Sequence, residues 1–247
     1  MTATIDLNAD VGEGVSGDER LLEAVTSANV ACGFHAGDEA TMRALCRVAV
    51  ARRVAIGAHV GYRDREGFGR RPLDVPPEVV EAESAEQIAV LQGAASAVGA
   101  RVSYVKPHGA LYTRASTDRA CAESIAAAAR AAGGVIAVLG PPGSELLRAT
   151  AAAGLKPVAE GFADRGYLSD GSLVPRDRPD ALRDEDGAVH QAILIARERA
   201  VVAIDGRRIP VRADSICLHG DSPGAESVAR RIAQALRDAG FELAPFA

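Results

Sequence analysis

Short apolar runs alternate along the whole chain with longer stretches whose apolar residues recur every three or four positions. The runs Thr4–Leu7, Ala28–Ala31, Val54–Ala58, Val102–Val105, Val135–Leu139, Lys156–Ala159 and Ser215–Leu218 read as strands. Between them, Glu39–Arg53 sets Met42, Leu45, Val48 and Ala49 on one stripe. Pro77–Val98 does the same with Val80, Ile88, Leu91, Ala95 and Val98, and Gly224–Ala239 with Val228, Ile232, Ala235 and Leu236. The Ala-rich stretches Ser116–Ala132 and Ser144–Ala153 are strong helix formers, closed by Gly133-Gly134 and by Gly154.

Seven strands, each followed by a helix, imply parallel pairing with right-handed crossovers. A closed seven-stranded parallel β/α barrel suits that count. An open doubly wound sheet has the same periodicity and stands as the alternative. Val201–Asp205 and Arg208–Val211, joined through Gly206, read as a β-hairpin inserted before the last strand. Ser169–Asp186 is polar and without a period, and reads as a long loop. Nothing resembles a linker or a repeat, so residues 1–247 are expected to form one domain.

Composition narrows the function classes. Hydrophobic residues make up 48% of the chain, enough for a sizeable core. The net charge of −5 and the absence of Trp weigh against nucleic-acid binding, which needs a basic face and favours aromatic platforms. Only two of the 28 basic residues are Lys, which singles out Lys106 inside a motif. Cys32, Cys46, Cys121 and Cys217 lack paired spacing and read as reduced thiols. No secretory leader pattern and no membrane-length apolar run is visible, so a soluble cytoplasmic protein is expected.

The chemistry gathers at the carboxyl ends of the strands, where parallel α/β folds keep their sites. Strand one ends in DLNADVGEG, and alternation directs Asp6, Asn8 and Asp10 to one side and Leu7 to the other. Three such side chains are costly to bury unless paired or bound to metal; a solvated edge is the simpler alternative. His35, His59, His108 and His219 follow strands two, three, four and seven. Four histidines on one rim suggest acid–base or ligand chemistry, whereas His190 lies in a helical pattern and reads as structural. Asp38 reads as the N-cap of the helix from Glu39. Cations that suit phosphate or carboxylate oxygens are Lys106, with Tyr112 one helical turn beyond, the Arg70-Arg71 pair, Arg165 beside Asp164, and Arg176. Gly12–Gly17 matches GxGxxG, but Glu13 and Asp10 would face a pyrophosphate there, so the match is weak.

These stretches resemble the LamB/YcsF family. The matching motifs are DLNADVGEG (Asp6–Gly14), NVACGFHAGD (Asn29–Asp38), IGAHVGYRD (Ile56–Asp64), GFGRR (Gly67–Arg71), VKPHGALY (Val105–Tyr112), EGFADRGY (Glu160–Tyr167), LVPR (Leu173–Arg176) and LHGD (Leu218–Asp221). Val60 stands where the family usually has Pro, and Thr113 where it usually has Asn. The resemblance implies a seven-stranded barrel of the glycoside hydrolase/deacetylase type. It also implies an ATP-dependent 5-oxoprolinase, opening 5-oxo-L-proline to L-glutamate with Mg-ATP and two further subunits, B and C.

On that reading Asp10, His35, His59, Lys106, His108 and His219 form the catalytic set. Asp6, Asn8, Glu13, Arg70, Arg71, Tyr112, Glu160, Asp164, Arg165, Arg176 and Asp221 form the substrate- and phosphate-binding set. Phosphorylation of the lactam oxygen would activate the carbonyl, cations would offset the charge, and a His or Asp would deprotonate the attacking water. Lys106→Ala is expected to retain the fold and lose ATP-coupled turnover. The runner-up is a metal-dependent amide or acetyl hydrolase using Asp10, His35 and His59, although the HxxxH pair of such deacetylases is missing. A non-catalytic substrate-binding subunit is the third reading.

Overall fold

The computed structural model describes residues 3–221 and 224–247. In chain order its elements are β1 (Ala3–Val11), α1 (Asp18–Leu21), β2 (Ser27–Ala31), α2 (Glu39–Arg52), β3 (Ala55–Val60), α3 (Pro77–Ser96) and β4 (Val102–Pro107). There follow α4 (Gly109–Thr117), α5 (Arg119–Ala131), β5 (Ala137–Gly140), α6 (Glu145–Ala152), β6 (Lys156–Phe162) and α7 (Glu185–Glu198). The chain ends with β7 (Ala200–Val202), β8 (Arg208–Pro210), β9 (Ser215–Leu218), α8 (Ala225–Asp238) and β10 (Phe241–Leu243).

Strands β1 to β6 and β9 form a closed ring, all parallel. Closure comes where β9 pairs with β1, Asp6 opposite Ser215 and Ala9 opposite Leu218. The barrel alternative is therefore the right one. The open sheet fails because β1 and β9 complete each other's hydrogen bonds and leave no edge between them. Leu7, Ala9 and Val11 point outward into the main apolar layer beneath the helices. Asp6, Asn8 and Asp10 point inward and are fully buried, so the solvated-edge alternative does not hold.

Some boundaries differ from those expected, each for a local reason. The Ala-rich run from Ser116 is broken at Asp118, whose side chain accepts from the Cys121 amide and starts α5 afresh while Ser116 and Thr117 finish α4. The expected loop ends two residues early, because Asp184 caps α7 by accepting from the Gly187 amide. The hairpin forms as β7 and β8, antiparallel. Strand β10 is new: it lies parallel to the start of β1, Ala3 opposite Phe241. Asp38 caps α2 as expected, accepting from the Thr41 amide. The four cysteines are free and buried. No helix among the described residues is long and apolar enough to cross a membrane.

Candidate active site

The carboxyl ends of the strands open into a cavity of about 600 Å³. Asp10, His59, Lys106, His108 and His219 reach it from the strand ends; Tyr112, Phe162, Arg70, Arg165 and Arg176 form its walls, with Leu73, Val174 and Pro175 as apolar lining.

Lys106 is the centre of the floor. Its Nζ donates to Asp10 Oδ1 at 2.9 Å and to Asn8 Oδ1 at 3.4 Å, and lies 3.2 Å from Glu160 Oε2 and 3.0 Å from Cys217 Sγ. Burial works against its charge, but Asp10, Cys217 and Glu160 outweigh that and hold the ammonium protonated well above its usual range. Asp10 is the converse. Burial pushes it up, yet His59 and Lys106 hold it well below the ordinary carboxylate range. Asn29 supports both partners, donating to Asp10 Oδ1 at 2.8 Å and Asn8 Oδ1 at 2.7 Å. It in turn accepts from the Tyr104 hydroxyl at 2.8 Å. Sequence reasoning missed Asn29, though its place two residues from both Ser27 and Ala31 puts it on the inward face of β2.

A second unit follows β6 and β9. The Asp164 carboxylate accepts from the His219 main-chain amide at 2.9 Å and lies 2.9 Å from His219 Nδ1. A carboxylate accepts only, so Nδ1 carries a proton, and Nε2 lies 4.0 Å from Asp10 Oδ2. Burial raises Asp164, but His219 outweighs it and keeps the carboxyl below its ordinary range. The His219 ring stacks on Phe162 at 5.4 Å.

The remaining residues divide. Tyr112 is buried beside the cavity; neither its hydroxyl nor Glu160 Oε1 has a hydrogen-bond partner among the described residues. Burial and the nearby Glu160 push the Tyr112 hydroxyl well above its usual range. At the rim, Arg70 and Arg176 share Asp221. Arg165 donates to the carbonyls of Ala181 and Val174; burial, with Arg176 next in effect, brings it down to about 10.

Several expected binding residues lie outside the cavity lining. Arg71 is turned away from the cavity and clamped on Asp64, which also accepts from the Gly67 amide. Consecutive residues of a tight loop point in different directions, so only Arg70 of the pair enters. Asp6 lies below the floor, accepting from Thr26, Ser27 and Ser215 hydroxyls. Asn8 is committed to Ser215, Asn29 and Lys106.

Glu13, His35, His59 and His108 form a third buried group, of which His59 and His108 also reach the cavity. Burial lowers His35 to about 3 and also lowers His108. For His59 burial acts in the same direction, but Asp10 outweighs it and raises the ring. Of the Asp10–His35–His59 set of the runner-up reading, Asp10 Oδ2 lies 3.4 Å from His59 Nε2 while its Oδ1 is held by Lys106 and Asn29; the carboxylate that stands among all three rings is that of Glu13.

The LamB/YcsF family model matches residues 5–247. The chain belongs to the LamB/YcsF family. Among members, the 5-oxoprolinase A subunit of Streptomyces griseus subsp. griseus is 55% identical over 249 residues, spanning 98% of this chain and all of that protein. The 5-oxoprolinase A subunit of Methylococcus capsulatus is 50% identical, over 99% of this chain and 96% of that one. In the same family architecture, the crystal structure of the lactam utilization protein from Thermus thermophilus superposes with a TM-score of 0.91 at 40% identity, covering 98% of this chain and all of that one. A T48 deacetylase, at 14% identity and a TM-score of 0.53, shares the fold alone; it covers 98% of this chain and 87% of its own.

Proposed function

We propose that this LamB/YcsF chain is the lactam-handling A subunit of an ATP-dependent 5-oxoprolinase. It opens 5-oxo-L-proline to L-glutamate while ATP goes to ADP and phosphate, in an assembly with two further subunits, B and C. The full-length relatives that carry the name of the 5-oxoprolinase A subunit support the substrate. The observation that carries the chemistry is the presence in one cavity of His219, its Nδ1 held by Asp164, and of a buried ammonium, Lys106 Nζ.

The reaction breaks the lactam C–N bond, bonds a water oxygen to the carbonyl carbon, and leaves the nitrogen as an amine. Phosphoryl transfer from Mg-ATP to the lactam oxygen activates that carbon; attack by the water with loss of the nitrogen leaves an acyl phosphate, and a second water takes the phosphoryl group away as phosphate. The Gly12–Gly17 turn does not suit a nucleotide's phosphates: the Gly12 amide is donated to Asp18 at 2.8 Å and Glu13 turns inward. The cavity's own cations suit a substrate carboxylate and one phosphoryl group.

Each residue then has a separable task. Arg70 and Arg176 at the rim take the carboxylate of 5-oxoproline in exchange for their shared Asp221. Lys106 faces the oxygen on which charge develops, already fixed by Asp10 and Glu160 and needing little reorganisation. His219 Nε2 takes the proton of the attacking water, with Asp164 holding the tautomer and stabilising the imidazolium. Tyr112 and Glu160 Oε1 offer unengaged polar atoms to the lactam amide.

The test is co-expression with the two partner subunits, assaying glutamate and ADP together. His219→Gln is expected to lower turnover by about 10²–10⁴-fold while the thermal melt is retained. Wild-type turnover in that variant removes His219 from the chemistry. If 5-oxoproline binding also persists unchanged, the chain is a binding subunit. Glutamate formed without stoichiometric ADP overturns the ATP coupling.

A further inference from the structure

The third buried group has a hydrogen-bonding problem that the reaction above leaves unsolved. Glu13 Oε1 stands 3.5 Å from His35 Nε2, 3.5 Å from His59 Nε2 and 3.3 Å from His108 Nδ1. Two of the rings have their other nitrogen on main chain: His59 Nδ1 is 3.1 Å from the Lys106 carbonyl and His108 Nε2 is 2.9 Å from the Phe68 carbonyl. A carbonyl only accepts, so each neutral ring carries its proton on that outer nitrogen. His59 Nε2 and His108 Nδ1 then face each other as two lone pairs across 3.0 Å. Neither oxygen of Glu13 and neither nitrogen of His35 has a hydrogen-bond partner among the described residues. A proton on His59 Nε2 would join that one pair and still leave His35 and Glu13 without partners.

We propose that Glu13, His35, His59 and His108 bind one divalent transition-metal ion of the zinc type. The spacing suits it. Ligands about 2.0–2.1 Å from a tetrahedral zinc lie about 3.3 Å apart, against 3.0–3.5 Å for the contacts above. Three imidazoles with one carboxylate favour zinc and its imidazole-binding neighbours over magnesium or calcium, which take oxygen shells. The Lys106 and Phe68 carbonyls already do what outer partners of metal-bound histidines do: they fix tautomer and ring orientation. Phe68 holds its carbonyl there from a left-handed backbone, φ 54°. One ring must move. His35 lies flat on His108, centroids 3.9 Å apart and planes 5° from parallel, so both cannot aim in-plane lone pairs at one ion. His35 has no hydrogen bond to lose and is the ring that turns.

His59 and His108 also line the cavity, so the ion sits against the site without displacing Lys106 from Asp10. The proposal stands on this geometry and not on the 5-oxoprolinase reading.

The experiment uses the full chain, stripped with chelator, dialysed against Zn²⁺, desalted and counted by inductively coupled plasma mass spectrometry. About one zinc per chain is expected. Loading with Co²⁺ instead is expected to give the visible bands of four-coordinate cobalt with nitrogen and oxygen ligands. Glu13→Gln, His35→Ala and His108→Ala are expected to weaken zinc binding at least tenfold, whereas His219→Gln, whose ring is held by Asp164, keeps it. Circular dichroism of each stripped variant separates lost binding from lost folding, and the wild-type zinc count and cobalt spectrum need no variant. A folded wild type that retains no stoichiometric zinc and shows no cobalt bands overturns the proposal. So do folded His35 and His108 variants with full zinc content. Metal is counted without turnover, so failure of this site and failure of the proposed reaction are read independently.

Discussion

The Asp6 carboxylate shows how costly the polar interior of this barrel is. Burial is the largest influence on it and pushes the group up from 3.8 to about 6, although hydroxyls of Ser215, Ser27 and Thr26 all donate to it. A folded value above the unfolded one means that folding favours the protonated form. The contribution of Asp6 to stability is full below pH 4 and is lost as pH rises through 6. The difference corresponds to about 3 kcal/mol at neutral pH. Asp6→Asn is therefore expected to be more stable than wild type toward urea at pH 7.5, with the gap closing by pH 4. Equal differences at both pH values would show that Asp6 is not the titrating group. Lys106 is the opposite case, because its charge is what makes Asp10 and Glu160 tolerable. Lys106→Ala leaves two buried carboxylates facing each other without a cation, at a cost of about 3–5 kcal/mol. The variant is expected to keep the fold at reduced stability. Urea denaturation of Lys106→Ala should show the loss directly, and an unchanged midpoint would place the carboxylates' compensation elsewhere.

Strand pairing and side-chain size are matched most tightly between β3 and β4. Gly57 faces Tyr104 across the ladder, and a Cβ at Gly57 would fall 2.0 Å from the Tyr104 ring. Gly57→Ala must push that ring out of place, at a cost of about 1–3 kcal/mol for overpacking. The double variant with Tyr104→Ala should be less destabilised than the two single losses summed, since the collision is then removed. Strict additivity in thermal or urea melts would mean that the ring has room to move. The same elements show what sequence could reveal. Inward Asp6, Asn8 and Asp10 follow from alternation, and the stripes of α2, α3 and α8 follow from their spacing. The break at Asp118 was hidden because Ala-rich helix continues equally well on both sides of it, and only the cap decides. Three-residue β10 is too short to show a period. Arg70 and Arg71 are indistinguishable in sequence, and the loop's turn alone sends one to Asp221 and the other to Asp64. The meeting of Glu13 with three histidines from different strands follows from barrel closure, which periodicity does not encode.

At the scale of the whole molecule, the barrel has one open end and one plugged end. Leading up the interior from the amino ends of the strands, Phe246 packs on Tyr104 with centroids 4.9 Å apart, Tyr104 holds Asn29, Asn29 holds Asp10, and Asp10 holds Lys106. Phe246 is further tied by its carbonyl, which accepts from Lys156 Nζ at 2.9 Å, while β10 anchors the preceding residues on β1. A plug of this kind could act as a stabiliser only, or could transmit disturbance to the cavity. The hydrogen bond from Tyr104 to Asn29 does not involve the tail, and Tyr104 is also packed by Ala137, Leu139 and Val158. Removing Phe246 and Ala247 therefore uncovers one face of the ring without freeing its hydroxyl. Phe246 is half-buried, so the loss is below the about 1.5–3 kcal/mol of a fully buried large apolar side chain, roughly 1–2 kcal/mol. In a chain of this size that lowers the melting temperature by about 2–8 °C. Lactam turnover by the three-subunit assembly, assayed at about 25 °C, is expected to stay within about twofold of wild type. An unchanged melting temperature would show that the tail does not plug the barrel. Turnover lost at an unchanged melting temperature would show instead that the Phe246-to-Lys106 chain carries a signal from one end of the barrel to the other.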